Sequence, residues 1–316
     1  MENIFTNSGL IDIREQIFGY LDQKTLKNCQ EVFAKEFGEE WESWLERFIL
    51  IKFILDFGDE KVDYRTEGMY NRYNPESREE VRIKDLVPGW KKAVQKFDIT
   101  ASLTDLDEVK GSLKRLFIEE KIMKRWDASP LHSVAEHHGQ HLKLMEFLLY
   151  TDSDINEEIV CYTPFIEACR KGHTEIVNLM ITSSKKFGID LNYGNNLTGF
   201  MRACYSGHVE IVKLMITSSK EFGIDLNACN VLGWTGFMYA CHGGHLDIVK
   251  LMIENRIKFG INLDTVLAQK IVNERIREVS YEIMRGYSEN FSFLQKLKLV
   301  LEILEETFSA NNEPNG

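Results

Sequence analysis

Two twelve-residue stretches decide the fold of this 316-residue chain: ITSSKKFGIDLN from Ile181 to Asn192, and ITSSKEFGIDLN from Ile216 to Asn227. They differ at one position and begin 35 residues apart. Self-similarity at a fixed spacing of roughly 20 to 50 residues is typical of proteins that stack one small unit many times. The pair therefore predicts a repeat architecture.

The segment that precedes each stretch repeats as well. It reads TPFIEACRKGH at 163–173, TGFMRACYSGH at 198–208 and TGFMYACHGGH at 235–245, and a degenerate copy, SPLHSVA, begins at Ser129. The leading Thr or Ser suits a helix N-cap, and the Gly before the final His suits the left-handed residue that ends a helix. Apolar residues at i, i+3, i+4 and i+7 then predict a second helix. Each unit should contain two antiparallel helices.

This pattern resembles the ankyrin repeat, through Thr163-Pro164, Ala168-Cys169, Gly172-His173 and their equivalents, over about residues 126–265. The resemblance implies a helical solenoid whose loop tips and first helices face a protein-binding groove. The groove residues that it implies are Tyr162, Arg170, Arg202, Tyr205, Leu232, Trp234, Tyr239 and His242, with Glu167, Lys171, Leu197, Ser206 and Val231 beside them. We expect Trp234 and Tyr239 to contribute most, because Tyr and Trp anchor protein interfaces. The alternative is that some of these side chains only pack on neighbouring loops.

Near the N-terminus, apolar residues recur at spacings of three and four and predict an amphipathic helix. The run from Ile13 to Leu26 resembles an F-box, a module that docks on a Skp-type adaptor of cullin ubiquitin ligases. The resemblance implies a three-helix module whose adaptor-binding residues are Leu10, Ile13, Ile17, Phe18 and Leu21. The same spacing also occurs in ordinary amphipathic helices, so packing within the protein itself remains the alternative.

The sequence predicts an all-α chain of five segments. These are an F-box-like helical module at 1–55, a charged helical connector at 56–125, about four ankyrin repeats at 126–265, a helical C-terminal cap at 266–310 and a disordered tail at 311–316. In the connector, the patterns at 79–86, 90–97 and 106–126 predict helices that space the N-terminal module from the repeats. The patterns at 264–285 and 291–308 predict two helices that cover the end of the solenoid, since a terminal unit must hide its apolar face.

Composition and motifs argue against catalysis and nucleic-acid binding. The 38 basic and 49 acidic residues leave a net charge of −11, so no overall positive field attracts nucleic acid or anionic lipid. The sequence contains no Gly-rich phosphate loop and no H-E-x-x-H motif. Cys169, Cys204 and Cys241 recur at spacings of 35 and 37, unlike zinc ligands, and should be small buried side chains. His137 and His141 have a metal-binding spacing but lack further ligands, so we expect no metal and no cofactor.

Together these patterns predict a non-enzymatic substrate-recognition subunit of an SCF-type cullin ubiquitin ligase. Its partners would be a Skp-type adaptor with the cullin complex and an unidentified target protein, without nucleic acid or membrane. The alternative is a stand-alone ankyrin interaction scaffold whose N-terminal helices cap the repeats. The sequence shows no secretory signal, and its most apolar run, from Phe48 to Leu55, is too short to cross a bilayer. We therefore expect a cytoplasmic or nuclear protein.

Overall fold

The computed structural model describes residues 39–59, 61–65, 78–82, 87, 89–115, 130–137, 141–151, 153–158, 162–194 and 197–309. The chain divides into two compact units, residues 1–155 and 156–316. The predicted adaptor-binding residues and the tail at 311–316 lie outside the described residues. Among the helices that are described, none is both long and apolar enough to cross a membrane.

The first unit contains five helices and one two-stranded sheet among its described residues. They are α1 (Glu39–Phe57), β1 (Lys61–Arg65), β2 (Arg78–Arg82), α2 (Trp90–Thr100), α3 (Leu103–Leu113), α4 (Pro130–His137) and α5 (Leu142–Leu149). The strands pair antiparallel, with Val62 opposite Val81. The helix predicted at 79–86 is therefore wrong over 79–82, and residues 83–86 lie outside the described residues. Strand pairing depends on a partner that is distant in sequence, and the local pattern of a short charged segment does not reveal that partner.

Helix α1 packs on α2 and α3 through a face in which Leu50, Ile51, Ile54 and Phe57 are buried. The Trp90 indole Nε1–H donates a hydrogen bond to the Ile54 carbonyl oxygen at 2.9 Å and thereby ties α2 to α1. The predicted boundary between residues 55 and 56 falls inside this packed helix. Residues on either side of it belong to the same core.

The connector helices pack directly on α5. The ring centroids of Trp90 and Phe97 lie 5.0 and 5.7 Å from that of Phe147, in edge-to-face contact. Ser112 Oγ lies 2.7 Å from His141 Nδ1, at the start of α5. The connector helices α2 and α3 therefore pack both on α1 and on α5. An edge-to-face aromatic contact brings two helices together, and a pattern within one helix cannot show which helix it will meet.

The second unit contains three helix pairs followed by two longer helices. These are α6 (Pro164–Lys171), α7 (Thr174–Phe187), α8 (Gly199–Ser206), α9 (Val209–Phe222), α10 (Gly236–His242), α11 (Leu246–Phe259), α12 (Thr265–Met284), a 3₁₀ turn (Ser288–Asn290) and α13 (Phe291–Ser309). The first helices of the pairs stack in the order α6, α8, α10, and the second helices stack in the order α7, α9, α11. The predicted helical solenoid is confirmed.

The helix ends follow from the residues that the sequence pattern identified. Thr163 Oγ1 accepts a hydrogen bond from the Ile166 N–H at 3.3 Å, which caps α6, and Thr198 caps α8 in the same way. Gly172 ends α6 with φ +83°, a conformation that costs glycine little. Its position also has a packing reason, because a Cβ there would lie 2.6 Å from the His208 ring.

Close packing between successive first helices explains the Thr-Gly of the second and third pairs. A Cβ at Gly236 would lie 2.7 Å from a ring carbon of Phe200 and 3.1 Å from Cys204 Sγ, and the same relation holds at Gly199. The three repeating cysteines line this interior, and burial raises the pKa of each thiol. They pack as small apolar side chains.

A ladder of asparagines joins each repeat to the next. Asn192 Nδ2 donates to the Gly223 carbonyl oxygen at 2.7 Å, and Asn192 Oδ1 accepts from the Asp225 N–H at 2.8 Å. The same pair of bonds joins Asn156 to Gly188 and Asp190, and joins Asn227 to Gly260 and Asn262. The ladder is the structural reason for the repeated Gly-Ile-Asp-Leu-Asn. The Gly carbonyl and the Asp N–H of one copy bind the asparagine of the preceding copy, and the asparagine of that copy binds the next repeat.

Helices α12 and α13 cover the last helix pair, as the sequence predicted. Helix α12 packs on α10, and α13 packs on α11 and α12. Asp264 Oδ1 accepts from the Leu267 N–H at 3.0 Å and caps α12. The buried face of α13 contains Leu294, Leu297, Val300 and Leu304, whereas Leu301 is only half-buried.

Candidate protein-binding surface

Three positions of the repeat recur on one side of the second unit. They are the residue before the Thr cap and the residues four and seven places after that Thr. In repeat order these nine residues are Tyr162, Glu167 and Arg170, then Leu197, Arg202 and Tyr205, then Trp234, Tyr239 and His242. We call them the recognition surface. Its chemistry changes along the stack, from ionic in the first of these repeats to aromatic in the last.

The aromatic end of the recognition surface is a four-ring cluster. The Trp234 ring centroid lies 5.3 Å from that of Tyr239 and 5.4 Å from that of His242. Tyr205 makes an edge contact with Tyr239 at 5.8 Å and stacks on His242 at 6.4 Å. Trp234 and Tyr239, the pair singled out from the sequence, are therefore in direct contact. Aromatic residues held in this way present a large area with little loss of side-chain entropy on binding.

A short hairpin tip projects beside this cluster. Gly233 N–H donates to the Asn230 carbonyl oxygen at 2.9 Å and closes a β-turn, and Gly233 itself is left-handed with φ +77°. The Asn230 side chain accepts from the Leu232 and Trp234 N–H groups and donates to Tyr239 Oη at 2.8 Å. Val231 and Leu232 at the tip are 83% and 71% exposed. Two large apolar side chains thus stand in solvent next to the aromatic cluster.

The ionic end is largely satisfied within its own repeat. Both guanidinium nitrogens Nε and Nη2 of Arg170 donate to the carboxylate of Glu167, and the Nε bond is 2.9 Å long. The Glu167 side chain is only 7% exposed, so the bidentate pair compensates a charge that would otherwise be buried alone. Arg170 also lies 5.5 Å from the Tyr162 ring centroid. This pair leaves little free charge at this end.

Arg202 occupies the centre of the recognition surface and is bound differently. Its guanidinium carbon lies 4.8 Å from the Tyr162 ring centroid, and Nη2 donates to Tyr162 Oη at 2.8 Å. Its Nε is buried and makes no hydrogen bond to any residue that the structure describes. No carboxylate of the described chain forms an ion pair with it, in contrast to Arg170. Arg202 is therefore a positive charge held in place by an aromatic residue.

The protonation of the cluster follows from burial and neighbouring charges. Burial raises the pKa of the Tyr239 phenol, and the Asn230 hydrogen bond and Arg202 only partly oppose this. Burial lowers the pKa of the His242 imidazole, Arg275 lowers it further, and Glu278 opposes them. At neutral pH the Tyr239 phenol and the His242 imidazole are therefore neutral, and Arg202 is the charge beside them.

Two of the repeating Gly-His histidines have a structural role. His208 Nε2 lies 2.9 Å from the Arg170 carbonyl oxygen, and His245 Nε2 lies 2.9 Å from the Tyr205 carbonyl oxygen. Each imidazole thus binds the C-terminal end of the first helix of the preceding repeat. This hydrogen bond indicates a structural role and not metal ligation. His141 is buried against Ser112, and His137 is the last residue of α4.

The structure brings most of the predicted groove residues together and separates one of them. Leu232 stands at the hairpin tip and lies outside the ring cluster. Sequence reasoning missed Asn230, which organises the tip, although Asn-x-x-Gly is a recognisable turn signal. It also missed Arg275 and Glu278 of α12, which lie close enough to His242 to shift its pKa. No local pattern in α12 could have placed them there.

The comparisons with known proteins agree with the repeat geometry. Residues 131–230 and 165–266 match the family model described as ankyrin repeats (3 copies). No F-box family model matches the chain. No curated protein matches the sequence. Residues 131–266 therefore form ankyrin repeats, whose extended stacked surfaces support a role in binding another protein.

Proposed function

Starting from these ankyrin repeats, we propose that the chain is a non-catalytic recognition subunit of an SCF-type cullin ubiquitin ligase. The recognition surface holds a target protein, and the N-terminal F-box-like segment docks on a Skp-type adaptor in the cytoplasm or nucleus. Binding in this arrangement accelerates ubiquitin transfer by holding the target near the catalytic partner, which raises its effective concentration.

The observation that supports the binding half is the aromatic cluster with its hairpin tip. Tyr239 contacts both Trp234 and Tyr205, and this cluster lies beside the exposed Val231 and Leu232. Isolated exposed apolar residues are common on soluble proteins, but a contiguous patch containing Trp and Tyr is typical of an interface. The adaptor half is supported by the resemblance of residues 13–26 to an F-box.

The test is co-purification of the full chain with a Skp-type adaptor. The informative truncation removes residues 1–38, because residues from Arg47 to Phe57 pack on α2 and α3, and removing them would damage the first unit. Adaptor binding should be present in the full chain and lost both in the truncated chain and in Ile17→Glu. Retention of the adaptor by Ile17→Glu would refute the docking assignment. Trp234→Ala should leave adaptor binding intact.

A second function, a stand-alone interaction scaffold, is favoured by the packing of the first unit. Helix α1 lies on α2 and α3, and these helices lie on α5, so residues 39–57 are part of a continuous helical core. Limited proteolysis of the full chain distinguishes the two functions. A separate docking arm predicts release of a fragment that ends before residue 39 without loss of helical content in the remainder. A capping role predicts that removal of this fragment destabilises the first unit.

A further inference from the structure

We infer that the recognition surface selects a target segment in which an acidic residue lies next to an apolar one. The carboxylate pairs with Arg202, and the apolar side chain packs on Trp234 and Leu232. This inference rests on the proposed binding role of the surface and specifies the chemistry of the partner. The charges and exposures of the described residues support it.

Arg202 is the uncompensated charge of the recognition surface. The neighbouring cation, Arg170, is neutralised by a bidentate bond to Glu167 of its own repeat. Arg202 occupies the position of Glu167 in the next repeat, and its bonds to described residues are to the phenol of Tyr162. An arginine held over an aromatic ring is pre-organised, so it loses little side-chain entropy when a carboxylate approaches.

The surface would bind a carboxylate and an apolar group side by side. Arg202 and Tyr239 occupy the same repeat position on α8 and α10, which pack on each other, and Tyr239 is in contact with Trp234. The exposed Leu232 belongs to the hairpin that Asn230 ties to Tyr239. The Arg202 guanidinium and the exposed apolar patch of Trp234 and Leu232 therefore lie next to each other on the stacked repeats. An extended segment with an acidic and an apolar side chain is complementary to both.

The geometry of the ring cluster does not suit a cationic side chain as its ligand. A cage for an ammonium group needs a gap between the ring faces in which the cation sits. The centroids of Trp234, Tyr239 and His242 are separated by distances at which the rings contact each other. The positive charge of Arg202 next to Tyr239 also disfavours a cation there. The cluster is therefore a surface on which an apolar side chain can lie.

The test uses a library of randomised dodecapeptides displayed on phage and selected on the immobilised full chain. The wild-type chain should enrich peptides with Asp or Glu adjacent to Leu, Ile, Phe or Trp. Arg202→Glu should enrich Lys or Arg at that place instead. Lys213→Glu is the matched control, because Lys213 is an exposed cation on α9 outside the recognition surface. It should enrich the same acidic peptides as the wild type.

A synthetic peptide from the wild-type selection then gives the magnitude by fluorescence polarisation. Replacing its acidic residue by the amide should weaken binding to the wild-type chain about tenfold, as expected for a charge-assisted pair, and should change binding to Arg202→Gln little. Affinity for the acidic peptide should fall with added salt, and affinity for the amide peptide should not. Circular dichroism of each variant checks that its helical content is unchanged.

Two results overturn the inference and are distinguishable. Enrichment of peptides that require Trp234 but carry no acidic residue would leave the binding role of the surface intact and refute the charge preference. Enrichment only of peptides that bind Trp234→Ala as well as the wild type would refute the binding role, and the charge preference with it. Neither result depends on the Skp-type adaptor, whose binding is tested separately through Ile17.

Discussion

Replacing Asn192 by alanine tests whether the asparagine ladder couples neighbouring repeats. The side chain makes two hydrogen bonds, to the Gly223 carbonyl oxygen and from the Asp225 N–H. A hydrogen bond contributes about 0.5–1.5 kcal/mol net to stability. Gly223 and Asp225 are exposed, so water can solvate the groups that lose their partner, and no burial penalty is added. We therefore expect a loss of about 1–2 kcal/mol from the free energy of unfolding.

The control for this variant is Asn178→Ala. Asn178 is an exposed asparagine on α7 whose backbone carbonyl oxygen, not its side chain, accepts a bond from Thr182. Its replacement removes no link between repeats. Because alanine has the higher helix propensity by up to about 0.7 kcal/mol, this variant should be neutral or slightly more stable. Urea unfolding followed by circular dichroism measures both variants under the same conditions.

Hydrogen exchange adds a local measurement. The Asp225 amide loses its acceptor in Asn192→Ala, so peptides covering residues 223–227 should exchange faster than in the wild type. The Asp190 amide, which is bonded to Asn156, should be protected as before. Equal stability of the Asn192 and Asn178 variants, with unchanged exchange at 223–227, would refute the idea that the ladder couples the repeats.

Three further outcomes follow from the packing and the pKa shifts. Gly236→Ala should destabilise the second unit by about 1–3 kcal/mol in urea unfolding, because the added Cβ meets Phe200 at 2.7 Å; an unchanged midpoint would contradict this close approach. Burial lowers the pKa of His245 below its ordinary 6.5, so the unfolded state binds the proton more readily, and stability should fall as the pH drops below 6.5. In His245→Gln the decline of the urea midpoint from pH 7 to 5.5 should be shallower, and an equal decline would be evidence against this assignment. When the native protein is alkylated and analysed by mass spectrometry, the exposed Cys229 should react at once. The buried thiols of Cys169, Cys204 and Cys241 should react only after unfolding.

The repeat and its helix boundaries were readable from the sequence because their causes are local. A threonine that caps the third residue after it, a glycine in the left-handed region and an apolar stripe of period 3.6 all act within one turn or one helix. For this reason Thr163 and Gly172 were placed correctly. The cap helices α12 and α13 followed from the same periodicity.

The structure of the connector was less predictable from the sequence, because its contacts join segments that are far apart in the chain. The pairing of Val62 with Val81 joins segments 19 residues apart, and the segment at 79–86 carries no sign of its partner. The contact of Trp90 with Phe147 likewise joins α2 to a helix about 50 residues later. Apolar residues on a helix show that it packs, but not against what.

In the candidate site, the sequence identified the kinds of residues and the structure decided their relations. The sequence alone determined the stacked repeat, because each copy repeats the same Thr and Gly positions and the same apolar stripe. The Glu167–Arg170 pair is local, because the two residues lie three positions apart on α6. Only the tertiary structure showed that Arg202 binds Tyr162 of the preceding repeat, since that contact depends on distances between side chains of successive repeats. Such distances are set by the packing of α6, α8 and α10 and not by the spacing of residues within any one of them.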